Sequence, residues 1–291
     1  MEEQPSDEIY RRQGRDLLRL QCRALDALIQ AIADQSDEHD EFDRVTIWML
    51  QAIGVSANSI LKLTETIDMS IRDCFGIARS AAETAVNVSY IAVGGPDLAD
   101  RSIRHLRQKR WRDLKRVAQM GDQRITVERR IDAKVGDFPG LQEALDEFTN
   151  AKGHEVRDWT PDNIQKRIAL VATKSRRSAE ALSGAIFAIY RPSSELLHGS
   201  FYGVNYFWQG SLDRPVASRR EFAHLWTHDH FVTLLTSIYF AVSGTIEAVA
   251  VQRGLDDHLA GQKELDKLLA DLTKRMSKQN PSDDHFFTPE A

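Results

Sequence analysis

The chain has 291 residues, of which 42% are hydrophobic and 28% are charged, and its formal net charge is −5. This is the composition of a globular protein with enough apolar residues for one large core or two smaller ones. The net negative charge excludes a general attraction to nucleic acid or to an anionic membrane, so any such partner would have to meet a local basic patch.

Compartment is indicated by the cysteines and by the start of the chain. Cys22 and Cys74 show neither metal-ligand spacing nor a disulfide-rich pattern, which favours a reducing compartment, and we expect the cytoplasm. The acidic, polar residues 1–9 are unlike a signal peptide. The uncharged runs 45–61 and 231–246 fall short of the roughly 20 apolar residues of a membrane span, so we expect buried helices and no membrane partner.

Helical periodicity covers most of the chain, and we predict an all-α fold. The apolar spacing of residues 8–34 predicts a helix with one buried face. More apolar helices are predicted over 41–66 and 70–93, and the break Gly94-Gly95-Pro96 ends the second of them. A basic helix of about 98–119 follows, and residues 121–160 are predicted to be an irregular, largely helical surface insertion.

The second half of the chain continues the helical pattern. Further helices are predicted from residue 162, over 177–200 and 219–253, and over about 255–277. Prolines, including Pro192, are predicted to mark breaks in the pattern. We find no repeat and no convincing strand pair. We predict a single domain, 1–291, forming an irregular helical bundle around its long central apolar helices, with polar tails at 1–7 and 278–291.

A first polar row lies on the predicted helix 70–93, where Arg79, Glu83 and Asn87 follow one another at steps of four. The surrounding Ala, Ile and Val predict that the charged pair is buried, and burying an ion pair requires compensating interactions. The pair either fixes the register of the helix or contributes to a functional site.

A second row combines Arg191, Glu195 and His198, with Tyr190 and Ser194 beside it. The spacing i, i+4, i+7 places the row on one face of a helix. Arginine can hold a phosphate or carboxylate in a fork, and histidine can move a proton near neutral pH. If the two rows face one another they would form a polar cavity; otherwise His198 is a satisfied core residue.

These residues carry a resemblance. Arg191 followed after six residues by His198, on a helical scaffold, resembles the R-x(4–6)-H signature of the HEPN superfamily of helical ribonucleases and nucleotide-binding proteins. The phrases ARSAAE (78–83) and YRPSSELLHG (190–199) are also similar to those of an uncharacterised bacterial helical family of unknown function.

The HEPN resemblance implies a metal-independent RNA endonuclease or an RNA-binding protein, acting in bacterial stress or phage defence. Arg191 would bind the scissile phosphate, and His198 would remove the 2′-hydroxyl proton or protonate the leaving oxygen. No cofactor or metal is implied, and a homodimer is expected. Pro192 departs from the signature, which commonly has a polar residue there, and leaves open a nucleotide-binding or inactive relative.

Two alternatives come from other classes of protein. One is a non-catalytic helical protein that binds a small anionic ligand or acts in an oligomeric assembly. The other is metal-dependent hydrolysis at the histidines His224, His228 and His230, since the first two lie at i, i+4 with Glu221 or Asp229 nearby. A metal site needs three or four ligands, and surface or helix-start histidines are the simpler interpretation.

The basic helix 98–119 is a candidate face for RNA. Its arginines and lysines would contact phosphates, and Trp111 would stack on a base. A solvated charged face is the simpler interpretation. No DNA partner is expected.

Overall fold

The computed structural model describes residues 5–35, 40–128, 133–210 and 214–279. The chain divides into two compact units, one formed by 1–93 with 166–291 and the other by 94–165. The single-domain assignment stays a prediction. The described parts of the predicted tails, 5–7 and 278–279, belong to the first and last helices, and the remainder of both tails lies outside the described residues.

The first unit is built from helices, so the all-α prediction is confirmed. Its elements are α1 (Pro5–Gln35), α2 (Glu41–Leu63), α3 (Ile71–Gly94, whose last residue falls in the second unit), α6 (Ile164–Ala172, which begins in the second unit), α7 (Arg176–Leu197), α8 (Phe201–Gln209), α9 (Arg219–Leu225), α10 (Val232–Arg253) and α11 (Asp256–Gln279).

The core of this unit is centred on the pair α7 and α10. Gly244 allows the two helices to approach closely, because a Cβ there would lie 2.8 Å from Cγ of Leu182 and 3.0 Å from the carbonyl oxygen of Ser178. The hydroxyl of Ser178 donates to the carbonyl of Gly244 at 2.6 Å. Helix α10 is buried around most of its circumference, as expected for a helix without a polar face.

Within the described residues, one segment, 219–253, is long and apolar enough to cross a membrane, and 78% of its most apolar window is buried inside the protein. The sequence predicts one continuous helix there. The helix does run from Arg219 to Arg253 without a break, and its segment Trp226–Phe231, between α9 and α10, is π-helical. The wider π turn rotates the side chains of α9 about the helix axis relative to those of α10. Such segments are frequent at functional sites.

Pro192 does not break the helical pattern, and the prediction of a break there is wrong. Helix α7 continues through it to Leu197. Proline removes one backbone donor, so the carbonyl of Ala188 loses its usual partner within the helix. The hydroxyl of Ser193 donates to the neighbouring carbonyl of Tyr190 at 3.1 Å.

The second unit contains a strand pair that the sequence analysis did not predict. Helix α4 (Pro96–Asp113) ends earlier than the predicted 98–119 helix. Strands β1 (Lys115–Met120) and β2 (Gln123–Glu128) then form an antiparallel hairpin in which every residue is exposed. Gly121, with a φ of +58°, allows the two-residue turn between the strands.

The rest of the predicted insertion 121–160 is short and irregular. It has a 3₁₀ turn (Val135–Asp137), helix α5 (Leu141–Glu147) and an isolated bridge between Thr149 and Glu155. The prediction of a largely helical insertion is therefore wrong for this region, because β2 and extended chain occupy much of it.

Candidate functional site

Helices α3 and α7 bring the two predicted polar rows together. Nη2 of Arg72 donates to the carbonyl of Leu196 at 3.1 Å. The guanidinium carbon of Arg79 lies 4.4 Å from the centre of the Tyr190 ring. At this distance the cation and the ring face attract one another, so the row on α3 meets the row on α7 through Arg79 and Tyr190.

The first row is less buried than the sequence predicts. Nε of Arg79 donates to Oε1 of Glu83 at 2.8 Å, with the two side chains 22% and 39% exposed. The prediction of a buried pair is wrong, because only one side of α3 faces the core here. Asn87, one turn further along α3, accepts a hydrogen bond of 2.6 Å from Arg167 of α6.

The second row is also exposed. Arg191 and His198 lie at the surface, and Glu195 and Ser194 are half-buried. The buried stripe of α7 is formed instead by Ile189, Ser193 and Leu196, with the same i, i+4, i+7 spacing. The predicted row is offset from this stripe by two residues, or about 200° around the helix, and therefore faces solvent. The predicted polar cavity is not formed by these residues.

His198 lies at the end of α7, immediately before the turn into α8. Its backbone N–H donates to the carbonyl of Ser194 at 3.0 Å. Gly199, with a φ of +63°, ends the helix in the left-handed conformation that favours glycine. The exposed imidazole of His198 follows Arg191 by two helical turns, about 10 Å along the axis.

Glu195 fixes the connection between α7 and α8. Its Oε2 accepts a hydrogen bond of 2.5 Å from the hydroxyl of Ser200, and this hydroxyl accepts from the backbone N–H of Gly203 as the N-cap of α8. A Cβ at Gly203 would lie 2.8 Å from the backbone nitrogen of Leu196, so the main chains of the two helices are in close contact.

Each of the two arginines, Arg79 and Arg191, lies against an aromatic ring. The guanidinium of Arg191 lies 5.7 Å from the ring centre of Tyr202, which is 50% exposed, and Tyr190 is 43% exposed. Phe187 and Phe201 are exposed by 85% and 83%. We define the arginine–aromatic surface as Arg79, Phe187, Tyr190, Arg191, Leu197, His198, Phe201 and Tyr202.

Large apolar side chains exposed together on one surface mark an interaction site more often than side chains exposed singly do. No role was predicted for the aromatic residues that follow His198. The sequence does contain a signal for them, because two aromatic residues, Phe201 and Tyr202, follow the predicted site closely and begin α8.

The three histidines of the predicted metal alternative separate into two environments. His230 is buried, and its Nε2 lies 2.9 Å from the carbonyl oxygen of Phe207. Burial lowers its pKa. His224 and His228 lie together, with ring centres 4.3 Å apart. His230 is therefore not a ligand in a site with the other two.

The acidic neighbours expected for these histidines differ as well. Glu221 forms an ion pair of 2.9 Å with Arg214, and this contact lowers the pKa of Glu221 to about 2. The carboxylate beside His224 and His228 belongs to Asp7 of α1, which the sequence analysis missed. No sequence signal indicates a contact between residues so far apart in the chain.

In the second unit, much of the basic face of α4 is engaged within the unit. Arg101 and Arg104 both pair with Glu147, at 2.8 and 2.6 Å. Nη2 of Arg112 donates to Thr149 at 3.1 Å. Lys109 pairs with Glu155 and Trp111 contacts Phe138. These contacts hold the irregular residues after β2 against α4, and RNA binding by this face stays a prediction.

The fold and the surface define an all-α protein with an exposed arginine–histidine row among aromatic rings. The model of a family of unknown function, DUF5677, matches residues 43–214, and the chain belongs to this family. The matched range contains both polar rows and ends before His224. No curated protein and no solved structure matches the chain.

Proposed function

We propose that the protein is a HEPN-like, metal-independent RNA endonuclease that binds single-stranded RNA on the arginine–aromatic surface. The observation that carries the proposal is the position of Arg191 and His198 on one exposed face at the end of α7, with the ring of Tyr202 against Arg191 and the ring of Tyr190 against Arg79. Single-stranded RNA presents unstacked bases and phosphates, and aromatic rings with arginines are the groups that bind both.

The roles of the individual residues follow from their chemistry and contacts. Arg191 forms charge-assisted hydrogen bonds to the scissile phosphate, and Glu83 holds Arg79 against the ring of Tyr190, where its remaining N–H groups can donate to RNA. Tyr190 supplies a stacking face. Glu195 and Ser194 are positioning residues, since the first fixes the α7–α8 connection and the backbone of the second holds that of His198.

The proposed reaction is an internal transesterification. Neutral His198 removes the proton of the 2′-hydroxyl, the 2′-oxygen attacks phosphorus, and the bond from phosphorus to the 5′-oxygen breaks. The leaving 5′-oxygen takes a proton from water, and the imidazolium returns its proton to the hydroxide that remains. The products are a 2′,3′-cyclic phosphate and a 5′-hydroxyl, with no net consumption of water.

The test is cleavage of a mixed RNA pool in excess chelator. We expect the wild type to cleave and His198→Ala and Arg191→Ala to lose at least about a hundredfold, the range of a general base or a phosphate ligand. Arg176→Ala and His258→Ala are matched controls, since Arg176 lies at the opposite end of α7 from Arg191 and His258 lies on α11. Circular dichroism verifies folding.

Absence of cleavage by the wild type, or equal rates in His198→Ala and His258→Ala, would contradict the nuclease. If the wild type binds single-stranded RNA without cleaving it, and Arg191→Ala does not bind, the RNA-binding part of the proposal holds and the nuclease part does not. A role in bacterial stress or phage defence stays a prediction of the HEPN resemblance, and the cytoplasmic location stays a prediction from Cys22 and Cys74.

A second candidate, assembly into a homodimer, is favoured by the exposure of Phe187, Leu197 and Phe201. We expect the double variant Phe187→Ser with Phe201→Ser to sediment as a monomer where the wild type sediments as a dimer. Val55→Ser, at an exposed apolar position of α2, is the matched control. A monomeric wild type would exclude this assembly.

A further inference from the structure

We propose that Asp7, His224 and His228 form a binding site for a divalent transition metal ion of the zinc class. The site lies outside the arginine–aromatic surface and does not depend on the proposed ribonuclease activity. Two imidazole nitrogens and one carboxylate suit zinc and its neighbours better than magnesium or calcium, which prefer oxygen ligands alone.

The three side chains already have the spacing of a ligand set. Their candidate ligand atoms all lie within 4.8 Å of one another. Oδ1 of Asp7 is 2.9 Å from Nε2 of His228, and Oδ2 of Asp7 is 3.7 Å from Nδ1 of His224. Ligands of a tetrahedral zinc ion are about 3.4 Å apart, as follows from bond lengths near 2.1 Å. Small side-chain movements would therefore suffice for all three to bind one ion.

Two separate parts of the fold position these groups. His224 is in the last turn of α9 and His228 is in the π-helical segment, so the change of helical geometry falls between them. Asp7 is in the first turn of α1. Helix α1 is held against the π-helical segment by a 3.0 Å hydrogen bond from Nη1 of Arg11 to the hydroxyl of Thr227.

The exposure of the ligands leaves a route to solvent. The side chains of Asp7, His228 and His224 are 10%, 19% and 55% exposed. The ion would thus lie with its inner side against Asp7 and His228 and its outer side toward water. A zinc site with three protein ligands takes a water molecule as its fourth ligand, and the outer position is open for it.

The expected consequence of metal binding is stabilisation of the contact that α1 makes with α9 and the π-helical segment. An ion that binds the folded chain and not the unfolded one raises the unfolding temperature in proportion to the logarithm of its concentration. Without the ion, Asp7 would keep its contacts with the two histidines, 2.9 Å to His228 and 3.7 Å to His224. Zinc affinity and the unfolding temperature with and without zinc distinguish the two cases.

The experiment uses the full chain without a histidine tag. Zinc is titrated in competition with a chromogenic chelator, and the unfolding temperature is recorded with and without zinc. We expect one zinc ion per chain and a higher unfolding temperature with zinc. His228→Ala and Asp7→Asn should weaken binding at least tenfold, since even residues that only orient a ligand typically change metal affinity by about ten- to a hundredfold.

His224→Ala is the variant that keeps the test decisive if the other two fail to fold, because His224 is the most exposed ligand. Its zinc affinity should also fall, and its cobalt complex should lose the visible absorption of a tetrahedral site. His258→Ala is the control and should bind zinc as the wild type does. No zinc bound by the wild type, or the same affinity in His224→Ala and His258→Ala, would overturn the proposal.

Discussion

Exposure of Arg191 and His198 follows from the residues two positions before them. Ile189, Ser193 and Leu196 face the core, and any row two residues later on a helix faces away from it. The sequence identified the row by its charges but could not choose between the two sides, because Ser193 interrupts the apolar stripe. A polar residue in the buried stripe and polar residues on the exposed face look alike in sequence.

His230 is predicted to make the protein less stable in acid. Burial lowers its pKa below the usual 6.5, and its buried Nδ1 has no hydrogen-bond partner among the described residues. The unfolded chain therefore binds a proton more readily than the folded chain below about pH 6.5, and stability falls as the pH decreases through that value.

The measurement is urea unfolding of the wild type and His230→Gln at pH 7.5 and pH 5.5. Glutamine keeps a donor for the carbonyl of Phe207 but does not titrate. We expect the loss of stability between the two pH values to be smaller in His230→Gln. An equal loss in both proteins would show that other groups cause the pH dependence.

The thiols of Cys22 and Cys74 are predicted to be inert in the folded protein. Burial raises their pKa values to about 11 and about 12, so almost no thiolate exists at pH 8. We expect both to react at least about a hundredfold more slowly than a free cysteine with a thiol reagent, and at the ordinary rate in denaturant. Rapid reaction of either thiol without denaturant would contradict the packing of α1 or α3.

At the scale of elements, the contact between α7 and α10 depends on small residues. Gly244 has the side chain of Leu182 and the backbone of Ser178 against it, whereas Gly261 of α11 has open space around it. Both glycines are helical, so helix propensity alone would favour alanine at either position. The difference between them lies only in what surrounds the new methyl group.

We predict opposite effects for the two alanine substitutions. Gly244→Ala should decrease the free energy of unfolding by about 1–3 kcal/mol, because the methyl group overpacks the contact with Leu182. Gly261→Ala should increase it by about 0.5–1 kcal/mol. Urea unfolding of both variants measures this. A stabilising Gly244→Ala would mean that α7 and α10 lie further apart than the structure has them.

For the whole molecule, the long apolar helices could be predicted from sequence, since α2, α3 and α10 follow a strong period or are apolar throughout. The hairpin could not be predicted, because its exposed strands bury no alternating apolar face. The site formed by Asp7 and His228 joins residues 221 positions apart, which no local pattern reveals. The division into two units, in which 94–165 separates the two sequence segments of the first unit, depends equally on distant contacts.

The exposed hairpin is predicted to tolerate a chain break. A protease site inserted between Gly121 and Asp122 should be cut in the native protein, and cutting should change the unfolding temperature of the first unit by less than about 3 °C, because no hairpin residue is buried. A protease site inserted between Gly199 and Ser200 is the comparison, and cutting there should lower the unfolding temperature of the first unit by more. Equal effects would contradict the structural role assigned to the α7–α8 connection.

Gly203 also bears on how the arginine–aromatic surface can change in evolution. Because main chain rests against main chain where α8 meets α7, the position of His198 does not depend on the side chains of Phe201 or Tyr202. Selection for a new ligand could therefore exchange the rings at 201 and 202 while the backbone of His198 stays in place. Variation in what is recognised would accumulate at positions 201 and 202, while Gly203 would remain invariant.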